Sequence, residues 1–518
     1  MKRMRLIGLL IAGICLLMLA REAFAADQVV TDCGDNGGAN QLRAKIDAAQ
    51  ASGGGVITFT CGPATILLNG QLPFISTTVT INGAGGITLS GGNGSRILFV
   101  STGGDLYLNN LTLTNGAIGN PGGAIRVSSG NLYADNVTIK KSASTDDGGG
   151  LHAEFAFVSL TNVTFQENHA GTYGGGAYYS YSEVVLENVN FLTNTAANAG
   201  GALVNDKGQV TWTGGSIVGN SAVDTGGMYT VNSDGDVNHY SHLRQVVISE
   251  NKAASGYGGG LHVALDANLT LENSTVHSNS AKHGAGLLNY GTAALTNVTL
   301  SNNNATRYGG GILNEDGQMS LTNVTLAYNS APDGGGILHY SGTSKKIILL
   351  NTIVAKSPSG GNCYNASGAG SLITSSGFNL SDDSSCAPYL NQIGDKNGAQ
   401  YDPLLGALAD NGGPTFTHLP QTGSPVIDGG TNSGCPATDQ RGFTRVGQGA
   451  ACDIGAVEVQ VACASKPDQP ALLSPGNNKK PKARKSRLIG TIQTVWTLTM
   501  SLSITVPPRG PKRSRKRI

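Results

Sequence analysis

The sequence predicts an all-β chain wound as a right-handed parallel β-helix, a solenoid of three short strands per coil with an N-terminal capping helix. Three observations carry this reading. A glycine run, a stretch of short alternating segments and a closing Asn-x-Ala recur through residues 148–331. The closing asparagines, Asn168, Asn194, Asn220, Asn251, Asn279, Asn303 and Asn329, are spaced by 26, 26, 31, 28, 24 and 26 residues. Such a period marks one structural unit stacked on copies of itself. Within each period, runs such as Val158-Ser159-Leu160 and Val163-Thr164-Phe165 alternate with period 2 and lack a helical period. Each strand then pairs with its equivalent one coil later, at roughly 4.8 Å. The other two sides of the coil supply the crossover that parallel pairing needs, with the usual right hand.

The columns follow from the alternation. Phe165, Phe191, Ile217, Ile248, Val276, Leu300 and Leu326 form an inner apolar column. Their neighbours Thr164, Asn190, Ser216, Val247, Thr275, Thr299 and Thr325 are expected to face out. Asn168 and its equivalents sit at a turn, where amides can bond one another and free backbone groups. The glycine runs suit positive φ or a turn too tight for a Cβ.

The Phe165-Gln166-Glu167-Asn168 pattern followed by Gly-Gly-x-apolar resembles the coils of polymorphic outer-membrane proteins, which are pectate-lyase-like bacterial surface β-helices. The resemblance spans about residues 110–356. It implies a fold and leaves function open, because such coils serve adhesins and polysaccharide-degrading enzymes alike.

In chain order, residues 1–25 read as a signal peptide. Lys2, Arg3 and Arg5 precede an apolar run from Leu6 to Ala20 and the cleavage sequence Ala23-Phe24-Ala25. The mature chain is therefore expected outside the cytoplasm, secreted or at the cell surface, with the outer membrane as one location. Its cysteines belong to an oxidising compartment. Residues 26–109 form the cap and first coils, with Leu42, Ile46 and Ala49 on one face of a short helix. Cys33 and Cys61 flank that helix and are a disulfide candidate. Gln41-Leu42-Arg43-Ala44 resembles a weakened "CSLREA" entry motif of secreted β-helix proteins.

Residues 357–462 form the C-terminal cap. Cys363 and Cys386 bracket a Ser/Gly/Asn-rich segment and are a second disulfide candidate. Asp402-Pro403-Leu404-Leu405-Gly406, Asp439-Gln440-Arg441-Gly442 and Cys452-Asp453-Ile454-Gly455 then follow in a dense run that resembles the choice-of-anchor Q domain of secreted bacterial β-helix proteins. That resemblance implies a surface or released protein. Asp439, Arg441, Asp453 and Glu458 are expected to form a charge network closing the C-terminal end, with Cys435–Cys452 as its staple. Residues 463–518 are a linker and basic tail. The last 40 residues carry twelve Lys/Arg and no acid, whereas the whole chain nets +1. Lys466–Pro475 resembles the opening of a fibronectin-type module, and the abrupt change after it suggests a reading-frame shift near residue 480. Cys463 has no evident partner. The mature chain offers no transmembrane segment beyond an anchor lost there.

Function is the less legible part. Two residues after the last glycine of each run stand His152, Tyr178, Leu203, Tyr229, His262, Leu288, Leu313 and Leu338. If the preceding residue points inward, these form an exposed stripe. His152, Tyr178, Tyr229 and His262 are then ligand-binding candidates, because flat rings stack on sugars or partner side chains. A covered or merely tolerant sheet face is the structural alternative. The 31-residue coil holds an enlarged turn in which Asp234 and Asp236 would suit a hard cation such as calcium; loops of this composition are usually solvated Asp/Gly turns. No other cofactor and no nucleic acid is implied. Charged residues are 13% of the chain, and Glu154, Glu183, Glu272 and Glu315 read as occupying different repeat positions. No catalytic residue can be named. The expected function is non-catalytic adhesion through glycans or surface proteins. The rival is a polysaccharide lyase or glycoside hydrolase, which needs converging charged groups.

Overall fold

The computed structural model describes residues 25–460, apart from Ser233, Val237, 341–345, 367–371 and Val446. Residues 1–24, where a signal peptide is expected, Cys463 and the basic tail lie outside the described residues. The chain is a parallel β-helix. In one coil, Leu151–Glu154 lies in an 11-stranded sheet, Phe157–Thr161 and Thr164–Gln166 in a bent 23-stranded sheet, and His169–Ala170 in an 8-stranded sheet. Each strand pairs in parallel with its equivalent in the next coil. Phe165 meets Phe191, which meets Ile217, then Ile248, Val276, Leu300 and Leu326. All seven are fully buried, and the two phenylalanine rings stack 4.7 Å apart.

The coil closes because three corners adopt left-handed backbone. In residues 151–170 these are Phe155, Asn162 and Glu167, with φ of 50°, 52° and 54°. Asparagine recurs at the middle corner, at Asn110, Asn136, Asn188, Asn273, Asn297, Asn323 and Asn351. Its short polar side chain tolerates this region better than other non-glycine residues do. The fourth turn belongs to the glycine run. Gly174 has φ 69°, and a Cβ on Gly175 would meet the carbonyl oxygens of Gly201 and Thr195 in the adjoining chain.

The Asn168 column is a buried amide ladder. Each amide oxygen accepts the backbone N–H and the amide N–H of the asparagine one coil earlier, and each amide nitrogen also donates to a backbone carbonyl. Ser142 takes the first rung, its N–H donating to Asn168 Oδ1.

At the N-terminal end, helix α1 (Leu42–Ala51) buries Leu42, Ile46 and Ala49 against the first coils. The buried Gln41 Oε1 accepts the N–H groups of Asn36, Gly37 and Gly38, while Arg43 pairs with Asp35 at 2.7 Å. Cys33 is bonded to Cys61, Cys363 to Cys386 and Cys435 to Cys452.

Three expectations need correction. The helix does not stop at 357, because Cys363–Asn365, Ile373–Ser375 and Leu380–Ser381 continue the pairing. Gly360-Gly361 still leads into the first of these strands, but Ser357 stands where the closing asparagine would, so the Asn-x-Ala pattern ends before the coil does. Secondly, the C-terminal segment does not close the end of the solenoid with its charges. Cys386 and Leu390 join the core there. Residues 415–456 run back along the outer face of the broad sheet. Thirdly, Thr275, Thr299 and Thr325 do not face solvent, because this arm covers them. Thr275 donates to the Phe416 carbonyl, Thr299 donates to Gln440 Oε1 at 2.6 Å, and Thr325 accepts from the Ala456 N–H at 3.0 Å. Upstream, Thr164, Asn190, Ser216 and Val247 remain partly exposed.

The charge network forms within this arm and includes Arg445, which the sequence reading missed. Arg441 pairs with Asp439 at 2.7 Å and Arg445 with Glu458 at 3.0 Å. Asp453 accepts the N–H groups of Asp428 and Val459, each at 2.7 Å. Burial raises Glu458 to about 7 and also raises Asp453. A carboxyl raised on folding binds protons more tightly in the native state. The arm should therefore be most stable in mild acid and weaken as pH rises from 4.5 towards 7, by about 3 kcal/mol at most. Thermal unfolding followed across that window checks the sign, and a Glu458→Gln variant should flatten the slope.

Candidate functional site

The residue just before each glycine turn is where the coil passes from the 8-stranded to the 11-stranded sheet. In successive coils it is Tyr257, His283, Tyr308 and Asp333, followed by Gly258, Gly284, Gly309 and Gly334 with φ of 72°, 61°, 62° and 65°. Parallel pairing stacks these side chains. The Tyr257 and His283 rings lie 4.9 Å apart at 17°, and His283 lies 5.2 Å from Tyr308. Beside them the outer column of the 11-stranded sheet is leucine. Leu288, Leu313 and Leu338 are at most 2% exposed, packed with Tyr290 and Tyr308.

These two rows make a groove of about 430 Å³. Its floor is Leu313 and Leu338, one wall is the Tyr257–His283–Tyr308 stack, and Tyr340, Tyr364 and Ala366 lie at the far end. Tyr257, Tyr340 and Tyr364 are exposed. Lys282, Arg307, Glu315 and Asp333 also line it, so two cations oppose two carboxylates. The Arg307 guanidinium sits 4.7 Å over the Tyr308 ring. Tyr290 donates to Glu315 Oε2 at 2.9 Å, which fixes that carboxylate. Burial, then Lys282 and Arg307, hold His283 below the ordinary imidazole range. It is a neutral ring in this wall. Flat rings on an apolar floor, with convergent donors and acceptors, can hold a molecule that has both C–H faces and hydroxyls.

The structure places the sequence candidates on the same sheet, nearer the N-terminus. His152, Tyr178, Tyr229 and His262 share the column that continues into the groove floor. Leu203 does not belong to it. Ala202 replaces the third glycine of that run, so Val204 pairs with Tyr178 and Tyr229 while Leu203 points into the core. The stripe is only partly exposed: His152 is buried, and Tyr178, Tyr229 and His262 are half-buried. The His152 and Tyr178 rings stack 5.3 Å apart, and Tyr229 and His262 lie 4.6 Å apart. Tyr178 donates to Asp206 Oδ2 at 2.9 Å, and His262 Nδ1 is 3.0 Å from Thr225 Oγ1. Burial lowers His152 to about 4 and His262 to about 3, so both imidazoles are neutral at pH 7.

One further placement differs from expectation. Glu154 and Glu315 share one column, with Asp206 between them, because the register aligns each at the end of its strand. Asp234 and Asp236 are exposed at the enlarged turn. Asp234 Oδ1 accepts the Asp236 N–H and lies 3.2 Å from His239 Nδ1, while Asp236 Oδ1 accepts from Asn238. His242 is directed elsewhere, with Nε2 3.5 Å from Glu272. Among the described residues, no group of three or more His, Cys, Asp or Glu could hold a metal ion.

No family model matches the sequence, and no curated protein matches it. Among solved structures, the crystal structure of pectate lyase Pel9A is similar at a TM-score of 0.32 and 13% identity, covering 84% of this chain and 98% of that one.

Proposed function

We propose that this is an exported surface protein that binds glycans without cleaving them, through the groove over the last coils of the 11-stranded sheet. The observation that carries the reading is the stacked wall of Tyr257, His283 and Tyr308 beside a leucine floor, ringed by balanced charges. Rings stacked at coil spacing offer their edges and outer faces to a chain of pyranose units. Balanced charge favours hydroxyl recognition over capture of a polyanion. Three disulfides fit an oxidising compartment. Among the described residues no helix is long and apolar enough to cross a membrane. The choice-of-anchor Q-like motifs at 402–458 and the leader-like N-terminus support export, and the likeness of the coils to polymorphic outer-membrane proteins supports a surface location. Calcium at the Asp234–Asp236 turn has no part in this reading.

Glycan-array binding of the mature chain tests it, with mass spectrometry of every polysaccharide that binds. Tyr308→Ala is expected to weaken binding about tenfold, the size of one aromatic contact, with the far-UV spectrum unchanged. Equal binding by the variant would sink the groove assignment. Shortened or unsaturated products would replace it with a lyase or hydrolase, and Glu315 and Asp333 would become the first residues to replace.

A further inference from the structure

A second site lies at another corner of the coil, where the 11-stranded sheet passes into the broad sheet. The left-handed residue there is Ser129, Phe155, Tyr181 and Lys207 in successive coils, with φ of 56°, 50°, 43° and 54°. Bulky side chains are rare in this conformation, and glycine or asparagine would hold the corner at lower cost. Phe155 and Tyr181 are nonetheless placed there and stand outside the coil, 56% and 41% exposed. Their rings stack 5.1 Å apart at 13°. Lys207 Nζ donates to the Tyr181 hydroxyl at 3.0 Å and sits 5.0 Å from the ring centroid.

The enlarged turn of the next coil supplies the facing wall. Asn232, 1% exposed, ties it down by donating to the carbonyls of Asp236 and Asp266 at 2.8 and 2.9 Å, and Asn268 donates to the His239 carbonyl at 3.2 Å. The turn brings the His239 ring edge-on to Tyr181, 6.0 Å away at 84°. Between them is a cavity of about 200 Å³ lined by Tyr181, Ser182, Glu183, Lys207, Gln209 and His239.

We propose that this corner cavity is a separate binding site for one uncharged pyranose unit. It is less than half the volume of the groove, which suits a single ring. Aromatic groups meet at right angles beside a carboxylate, an amide, an ammonium and a hydroxyl, so ring C–H groups and hydroxyls both find partners. Charge selects against acidic sugars. Glu183 lines the cavity and Asp234 lies behind His239, against Lys207 as the one ammonium. From Ser180, beside Tyr181, to Glu315 in the groove is five coils, roughly 24 Å. The two sites therefore bind independently unless one glycan chain spans them. The ligand class rests on the glycan reading above, and the experiment separates the two.

The test is saturation-transfer NMR on the full mature chain. The probes are methyl glycosides of neutral hexoses and N-acetylhexosamines, with methyl glucuronide and methyl galacturonide as acidic comparators. Tyr181→Asn keeps a residue suited to the left-handed corner while removing the ring. The expected result is transfer to at least one neutral glycoside that Tyr181→Asn lowers at least fivefold and Tyr308→Ala leaves unchanged, with none to the uronides. Transfer abolished by Tyr308→Ala alone would overturn the corner site and leave the groove standing. No transfer to any probe, or transfer that survives both variants, would also overturn it. Preference for the uronides would overturn the assigned ligand class.

Discussion

Above pH 7, where Glu458 is ionised, Arg445→Met is expected to destabilise the C-terminal arm by about 3–5 kcal/mol, the cost of stripping one partner from a buried ion pair. Arg445 is 4% exposed. It donates to Glu458 Oε2 at 3.0 Å, to Asn297 Oδ1 at 3.0 Å and to the Gly455 carbonyl at 2.9 Å. The bond to Asn297 is the one that crosses from the arm to the coil beneath. Without the guanidinium, Glu458 keeps only the Asp453 N–H on that oxygen, with Asp453 nearby as a like charge. Asp439 keeps its own partner in Arg441 and should be spared. The double variant Arg445→Met/Glu458→Gln should recover most of the loss, because no unpaired charge is then left behind. Protease susceptibility of residues 405–458 and hydrogen exchange at the Gly455 and Ala456 N–H groups, which donate to the Asn351 carbonyl and Thr325 Oγ1, report on the arm itself. If the single variant exchanges like the wild type at these two positions, the arm is held by its other contacts, such as Gln440 between Thr275 and Thr299.

The solenoid was legible because its units repeat. One phrase per 26 residues fixes the inner column, the amide ladder and the glycine turn together, and an error in one coil is corrected by the next. Legibility failed where a unit varied. Ala202 in place of a glycine shifted the count by one and put Leu203 in a column that belongs to Val204. The arm lay beyond this logic, since nothing in Thr275 or Thr299 announces a cover arriving from 141 residues away along the chain. The groove wall was open to a reading that went unused. Tyr257, His283 and Tyr308 each directly precede a glycine turn, just as Tyr173 does, so their column was written in the sequence as plainly as the asparagines. The sequence could not say how far each of two neighbouring aromatic columns stays open. That depends on Tyr178 reaching Asp206 and on His152 and Tyr178 stacking on each other, contacts made across coils.

Asn220→Val should be among the most damaging single changes in the molecule, at about 3–6 kcal/mol, because several buried groups lose partners together. Asn220 is fully buried. Its Oδ1 accepts the N–H and the side-chain amide of Asn194 at 2.8 and 3.0 Å, and its Nδ2 donates to the Phe191 carbonyl at 2.9 Å and to Asn251 Oδ1 at 3.0 Å. Valine fills similar space and answers none of these. Each orphaned donor or acceptor costs about 1–3 kcal/mol, and ladder bonds strengthen one another, so the losses need not add simply. Asn220→Ser should cost less. Ser142 already holds the first rung, and its hydroxyl accepts the Gly116 N–H at 3.1 Å. A serine keeps that acceptor where valine has none. Stability in a solenoid is a sum of coil and interface terms, so the damage should centre on the two coils that meet at Asn220. Hydrogen exchange should then show faster opening around Asn194 and Asn251 and little change near Asn329. Uniform loss along the whole stack would mean that the coils unfold as one unit, and the ladder would count as a global element with no local weak point.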